Sequence, residues 1–222
     1  VTDAAHREPI VVLISGRGSN MRALAQAGRD PATGYRLAAV LADRPEAAGL
    51  GAARDLGVHA QAVVPQKSAA RAGYEAELAA AIDAYSPALV VLAGFMRVLS
   101  ANFVARYAGR ILNIHPSLLP RHPGLHTHRR ALEARDAEHG ATVHFVTEQL
   151  DGGPPVIQAR TEVRRDDDED TLAARVLDLE HRIYPLAVRW YCAGRLRCRD
   201  GRAWLDGAEL AGPVQYDGAM DR

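Results

Sequence analysis

The sequence is poor in cysteine, with only Cys192 and Cys198 in 222 residues. They lie close together near the C-terminal end, in a pattern that matches neither a disulfide framework nor a zinc motif, so they read as reduced and structural. There is no excess of charge of either sign: 27 basic and 27 acidic side chains give a formal net charge of zero. The overall field therefore favours neither a nucleic acid nor an anionic membrane, and small molecules become the expected partners. No apolar run approaches the roughly 18 residues of a membrane span. Val1 to Pro9 is polar and charged and lacks the apolar core of a signal peptide, so a cytoplasmic location is expected. Internal repeats, low-complexity tracts and obvious linkers are missing too. With 48% hydrophobic and 24% charged residues, the chain is expected to form a single domain over 1-222, with a core of ordinary size.

What the chain does have is a regular alternation of short aliphatic runs and helical stretches. Ile10 to Ile14 is a continuous aliphatic run ending in Ser15-Gly16, as expected of a strand buried on both faces at the centre of a parallel sheet. Met21 to Ala27 reads as helix, Leu37 to Leu41 as strand, Glu46 to Leu56 as helix, Val58 to Val64 as strand and Ala69 to Tyr85 as helix. Leu89 to Leu92 is a further buried strand stopped by Ala93-Gly94, and Ile111 to Ile114 is another before His115-Pro116. Such alternation specifies an α/β fold with an open doubly wound sheet.

Beyond Gly140 the pattern changes. Thr142 to Val146 and Val156 to Val163 are strand-like runs joined by a Gly-Gly-Pro-Pro corner with no helix between them, so this half is expected to be mixed or antiparallel. Leu172, Val176, Leu179, Ile183, Leu186 and Trp190 then trace a long amphipathic helix, which Pro185 is expected to kink. Its acidic start, Asp166 to Asp170, suits solvent and the helix dipole. Arg195 to Leu205, with an Asp200-Gly201 turn, reads as a terminal hairpin.

Two segments carry chemistry. Ser15-Gly16-Arg17-Gly18-Ser19-Asn20 lies between the first strand and the first helix, where glycines let successive N–H groups converge and a helix N-terminus favours an anion. A phosphate fits there; the alternative is a tight turn capped by Ser19 or Asn20. Met21 stands where a dinucleotide fingerprint has its third glycine, and no Lys-Ser/Thr pair completes a P-loop, which disfavours NAD and ATP.

The second segment, Asn113-Ile114-His115-Pro116-Ser117-Leu118-Leu119-Pro120, ends a buried strand at the side where open α/β sheets place ligands. Strand alternation puts Asn113 and His115 on one face. An amide donor beside an imidazole suits acyl transfer, the one polarising a carbonyl and the other stabilising or protonating an oxyanion. Ser117 lacks the glycine-flanked elbow of a nucleophile. Asp151, in Leu150-Asp151-Gly152-Gly153, sits where glycines permit close approach, so its carboxylate can orient His115 and favour its charged form; the alternative is a turn-forming role. His115, His122, His126, His128, His139 and His144 fall close together, but their spacing fits no zinc signature, and no metal is expected.

These segments resemble the folate-dependent glycinamide ribonucleotide formyltransferases. The resemblance runs from Ile10 to about Leu196 and rests on Leu13-Ile14-Ser15-Gly16 with Gly18-Ser19-Asn20, Ala93-Gly94-Phe95-Met96-Arg97, the Asn113 to Pro120 octapeptide and Pro123-Gly124-Leu125-His126-Thr127-His128. It continues through Gly140-Ala141-Thr142-Val143-His144-Phe145-Val146 and Leu150-Asp151-Gly152-Gly153-Pro154. It implies a Rossmann-like formyltransferase sheet with a phosphate-binding half over about 9-110, a catalytic and folate half over about 111-196, and a hairpin and tail over about 195-222.

The implied activity is transfer of a formyl group from 10-formyltetrahydrofolate, as co-substrate, to the amine of N1-(5-phosphoribosyl)glycinamide in de novo purine biosynthesis. No metal, nicotinamide, nucleic acid or membrane is called for, and a homodimer is left open. The resemblance assigns Asn113, His115 and Asp151 to catalysis, and Gly18, Ser19, Asn20 and Glu180 to the ribonucleotide. It assigns Arg71, Met96, Arg97, Val98, Leu99 and Asn113 to the folate. Relatives acting on an aminoacyl-tRNA are expected to carry a basic C-terminal extension, and formate-releasing hydrolases an N-terminal regulatory domain; neither is expected here. Two departures stand out: Arg17 occupies a loop position that is usually small and neutral, and Pro155 replaces an aliphatic residue and removes a strand N–H.

Overall fold

In the computed structural model, which describes residues 7–66 and 70–221, the first aliphatic run forms β1 (Glu8–Ile14), with Ile10 to Ile14 fully buried. Alternation sends Ile10, Val12 and Ile14 into one hydrophobic cluster and Val11 and Leu13 into another, so the sheet carries a core on each face. The remaining strands are β2 (Tyr35–Ala42), β3 (Ala60–Ala62), β4 (Leu89–Leu92), β5 (Ile111–His115), β6 (Glu138–Phe145), β7 (Pro155–Glu162), β8 (Leu196–Arg199), β9 (Arg202–Leu205), β10 (Ala208–Glu209) and β11 (Val214–Gln215). Eight of them form one sheet in the order β11-β7-β6-β5-β4-β1-β2-β3, while β10-β9-β8 make a small antiparallel sheet. From β3 to β5 all neighbours are parallel; β6 runs antiparallel to β5 and β7, and β11 lies parallel to β7. The parallel half and the mixed half are thus as the run pattern specified.

The helices are α1 (Ser19–Ala27), α2 (Ala48–Asp55), α3 (Arg71–Asp83), α4 (Ala101–Arg106), α5 (Thr127–Glu133) and α6 (Glu169–Cys192). Helices α1, α2 and α6 bury Met21, Leu24, Leu50, Val176 and Ile183 on one face, while α3 and α4 bury Leu78, Ile82 and Phe103 on the other. Because α1 leaves β1 toward one face and α4 leaves β4 toward the opposite face, the C-terminal ends of these adjacent strands border a crevice.

Helix α6 begins with a capping box in which Asp168 and Thr171 satisfy each other's backbone N–H groups, and it continues on both sides of Pro185 through 24 residues. Tyr184, wholly buried in α6, places its hydroxyl 2.9 and 3.0 Å from the Leu92 and Leu112 carbonyls, tying the helix to β4 and β5. No helix among the described residues is long and apolar enough to cross a membrane.

Several boundaries differ from the sequence reading. The short helices α4 and α5 were not foreseen; neither is long enough for helical periodicity to stand out. Strand β3 keeps three residues of the expected Val58 to Val64 run, α2 starts at Ala48 instead of Glu46, and the expected Ala69 start of α3 lies outside the described residues. Pro155 sits at an irregularity: the β6/β7 register shifts between Val143 and His144, His144 lies opposite Pro155, and the Phe145 N–H donates to the Pro154 carbonyl at 3.1 Å. The ladder thus steps around the missing donor.

Candidate active site

The loop after β1 is shaped by backbone contact. The Ser15 N–H donates to the Gly94 carbonyl at 3.0 Å, and the Ser15 hydroxyl accepts from the Met96 N–H at 2.8 Å, which locks the loops after β1 and β4 together. Gly18 adopts φ 74°, and a Cβ there would lie 3.1 Å from the Gly49 Cα. Helix α1 therefore starts without a side-chain cap, and its first turn holds no acidic residue. The Ser19 or Asn20 cap offered by the sequence as an alternative is absent, and the first-turn N–H groups remain available to an anion.

Asn20 is buried, and its Nδ2 donates to Glu180 Oε2 at 2.5 Å. Its Oδ1 has no hydrogen-bond partner among the described residues. Burial pushes the Glu180 carboxyl up to about 7, against the opposing hydrogen bond from Asn20. Two residues 160 positions apart, both assigned above to the ribonucleotide, are thus joined at one end of the crevice. Arg17 is exposed and has no hydrogen bond or ion pair among the described residues.

Asn113 and His115 share the face of β5 that alternation gave them, and the antiparallel register sets them opposite His144 and Thr142 of β6. Asn113 Nδ2 donates to His144 Nε2 at 3.1 Å, and His144 Nδ1 donates to the Phe145 carbonyl at 2.9 Å. Those two bonds define a neutral ring, in keeping with burial holding His144 below the ordinary histidine range. The sequence offers His144 as part of a motif and of the histidine cluster, without a site role; in the fold it orients the Asn113 amide. The i, i+2 pairing of Thr142 and His144 on the strand after Gly140 was the available signal, but only the register reveals which residues they face.

Asp151 takes φ 50° in its turn and reaches inward, with Oδ2 3.5 Å from His115 Nδ1 and Oδ1 3.8 Å from His144 Nε2. The same Oδ2 accepts the Gly124 N–H at 2.8 Å. Gly153 makes the approach possible, since a Cβ there would fall 1.8 Å from the Phe145 carbonyl oxygen. His115 Nε2 lies 3.0 Å from the His122 carbonyl.

A cleft of about 650 Å³ runs along this face, lined by Asn20, Glu180, Asn113, His115, His144 and Asp151 together with Gly94 to Leu99. Met96 and Val98 are each 59% exposed at its rim, whereas Leu99 is buried. Arg71 does not line this cleft but borders a smaller neighbouring pocket of about 330 Å³, which it shares with Met96, Arg97, Val98 and Leu99. There Arg71 donates to the Val98 carbonyl and to Glu75 Oε1 (3.1 Å), and the Arg97 guanidinium sits 4.9 Å from the Tyr74 ring centroid.

Three of the other histidines in the cluster have partners of their own. His122 bonds Asp136, and His128 Nδ1 lies 3.1 Å from His139 Nε2, with burial driving His139 down to about 4. Among the described residues no three or more His, Cys, Asp or Glu side chains assemble as a metal-binding group.

Residues 8–188 match the family model described as formyl transferase. The phosphoribosylglycinamide formyltransferase of Escherichia coli (strain K12) is 51% identical over 201 residues, spanning 90% of this chain and 95% of that protein. The corresponding enzyme of Haemophilus influenzae is 42% identical over 207 residues, with the same coverage of 90% and 95%. Among solved structures, the phosphoribosylglycinamide formyltransferase of Coxiella burnetii in complex with CHES superposes with a TM-score of 0.91 at 43% identity, covering 95% of this chain and all of that one.

Proposed function

The chain belongs to the formyl transferase family, and on that premise we propose that it transfers a formyl group from 10-formyltetrahydrofolate to the amine of N1-(5-phosphoribosyl)glycinamide, in purine biosynthesis. The observation that carries this reading is a single cleft with an uncapped helix N-terminus and the buried Asn20–Glu180 pair at one end, and the Asn113, His115 and Asp151 side chains at the other. A phosphate suits the first end and an acyl-transfer transition state the second.

The neutral amine attacks the formyl carbon, forming the new C–N bond while the carbonyl pair moves onto oxygen. His144 accepts one Asn113 N–H and leaves the second free for that oxyanion. A protonated His115 supplies the opposing charge, which the Asp151 carboxylate 3.5 Å away stabilises. Collapse breaks the bond from carbon to the folate nitrogen, and the proton lost by the attacking amine passes to that nitrogen by way of His115, Asp151 or water between them. Met96, Arg97 and Val98 with the buried Leu99 receive the folate, and Arg71 borders the adjoining pocket.

The test is to mix the protein with 10-formyltetrahydrofolate and the ribonucleotide and follow the deformylated folate by absorbance, omitting each substrate in turn. Product that requires both substrates supports the reading. Folate deformylation that proceeds equally without the ribonucleotide would make the protein a hydrolase instead.

A further inference from the structure

The two ring nitrogens of His115 are in unlike surroundings. Nε2 lies 3.0 Å from the backbone carbonyl of His122, and a carbonyl oxygen only accepts, so Nε2 carries the proton. Nδ1 makes no hydrogen bond among the described residues and faces Asp151 Oδ2 across 3.5 Å at the wall of the cleft.

The carbonyl that makes this choice is itself held firmly. His122 is in the left-handed backbone region at φ 53°, and its Nε2 donates to Asp136 Oδ2 at 2.6 Å, with the two side chains 14% and 11% exposed. Arg121 Nη2 donates to the other carboxylate oxygen, Asp136 Oδ1, at 2.8 Å. The Ser117 hydroxyl donates to the Arg121 carbonyl at 2.7 Å, and Arg130 Nη1 to the Pro123 carbonyl at 2.5 Å, so the chain is pinned on both sides of His122. Asp136 thus takes two charge-assisted bonds from consecutive residues, and together they set where the intervening backbone points its oxygen.

We propose that the Arg121–Asp136–His122 cluster is a positioning device that fixes His115 as the Nε2–H tautomer, leaving Nδ1 as the ring atom that meets the reacting groups. It deepens the formyl-transfer reading and rests on it for the identity of those groups, but the tautomer itself does not. With Nε2–H satisfied by a fixed carbonyl, the proton that comes and goes in the reaction is held at Nδ1, next to Asp151. A loosened His122 carbonyl would let the neutral ring populate both tautomers and both orientations, and only one of them presents Nδ1 to the cleft.

Ring nitrogen shifts of His115 in ¹⁵N-histidine-labelled protein, recorded without substrate at a pH where the ring is neutral, test this first step. The wild type should show Nε2–H; a predominant Nδ1–H signal overturns the proposal, whatever the protein catalyses. His122→Asn suits the left-handed backbone but withdraws the ring from Asp136, and His122→Gln restores an N–H that reaches the carboxylate. His122→Asn should mix the tautomers and lower kcat about 10-fold with both KM values within about twofold of wild type, as a loss of orientation does. His122→Gln should recover most of both. Unchanged tautomer and kcat in a folded His122→Asn protein would reduce the cluster to a loop anchor. A wild type with the Nε2–H signal and no formyl transfer would instead remove the functional reading and leave the positioning intact.

Discussion

The two ends of the cleft solve different problems with different materials. At the proposed ribonucleotide end the shape comes from backbone, with Gly18 at φ 74° against Gly49 and an uncapped α1, and one buried side-chain acceptor, Asn20 Oδ1, has no partner among the described residues. At the proposed catalytic end, side chains are held by one another and by the backbone: Asn113 to His144, His144 to the Phe145 carbonyl, His115 to the His122 carbonyl, and Asp151 to the Gly124 N–H. An end that must admit a ligand keeps donors and acceptors unspent, since each is satisfied only on binding. An end that must hold geometry within a fraction of an ångström spends in advance those that fix its side chains and keeps only the reacting atoms open. Substitutions at the first should therefore register in KM, and at the second in kcat.

The sharpest way to break that contrast is His115→Ala, which should lower turnover by about 100-fold or more while calorimetry still detects both substrates, because the imidazole acts on charge that develops in the transition state. Binding lost in proportion to turnover would make it a substrate-positioning group. Asp151→Asn keeps an acceptor for the Gly124 N–H and removes the charge facing His115, so kcat should drop about 50-fold with the fold intact. Wild-type turnover in that variant would leave Asp151 as a turn residue.

Glu180 probes the other end through stability. Its folded carboxyl is raised from 4.5 to about 7, so the folded state favours the protonated form. That contribution is fully present below the ordinary carboxylate range and is lost as pH rises toward 7. Wild-type protein should accordingly lose about 2 kcal/mol between pH 5 and pH 7 relative to Glu180→Gln, equivalent to roughly 4 to 8 degrees in Tm. Parallel melting curves for the two proteins across that range would show that Glu180 is ionised throughout. Smallest, Gly18→Val should raise KM for the ribonucleotide about 10-fold and leave that for the folate nearly unchanged, since the loop is proposed to meet phosphate alone. Equal rises would mean that the distortion spreads along the Ser15 contacts to the loop after β4.

The parallel half of the sheet was legible because strands buried on both faces are written as unbroken aliphatic runs; Ile10 to Ile14 and Leu89 to Leu92 could hardly be read otherwise. The shared face of Asn113 and His115 followed from the period of a strand. What local patterns could not carry were pairings between distant segments. The Asn20–Glu180 bond joins helices α1 and α6, and the place of His144 depends on the β5/β6 register. Nor could local patterns show that Arg71 reaches the Val98 carbonyl and borders one pocket with Met96, Arg97, Val98 and Leu99, from 27 positions away. Helices as short as α4 and α5 bury too few residues to leave a pattern.

The two-residue strand β11 has a consequence for the molecule's dealings with its own copies. Val214 and Gln215 pair in parallel with Ile157 and Gln158, and the Tyr216 N–H donates to the Gln158 carbonyl at 2.8 Å. They occupy the outer rim of β7, which would otherwise offer a row of bare amides and carbonyls to any extended chain nearby. Together with Pro155, which has no amide hydrogen to offer at the start of that strand, they shorten the stretch of β7 open to intermolecular strand addition. In a crowded solution this small patch of backbone narrows the template that the edge of the sheet presents to a neighbouring molecule.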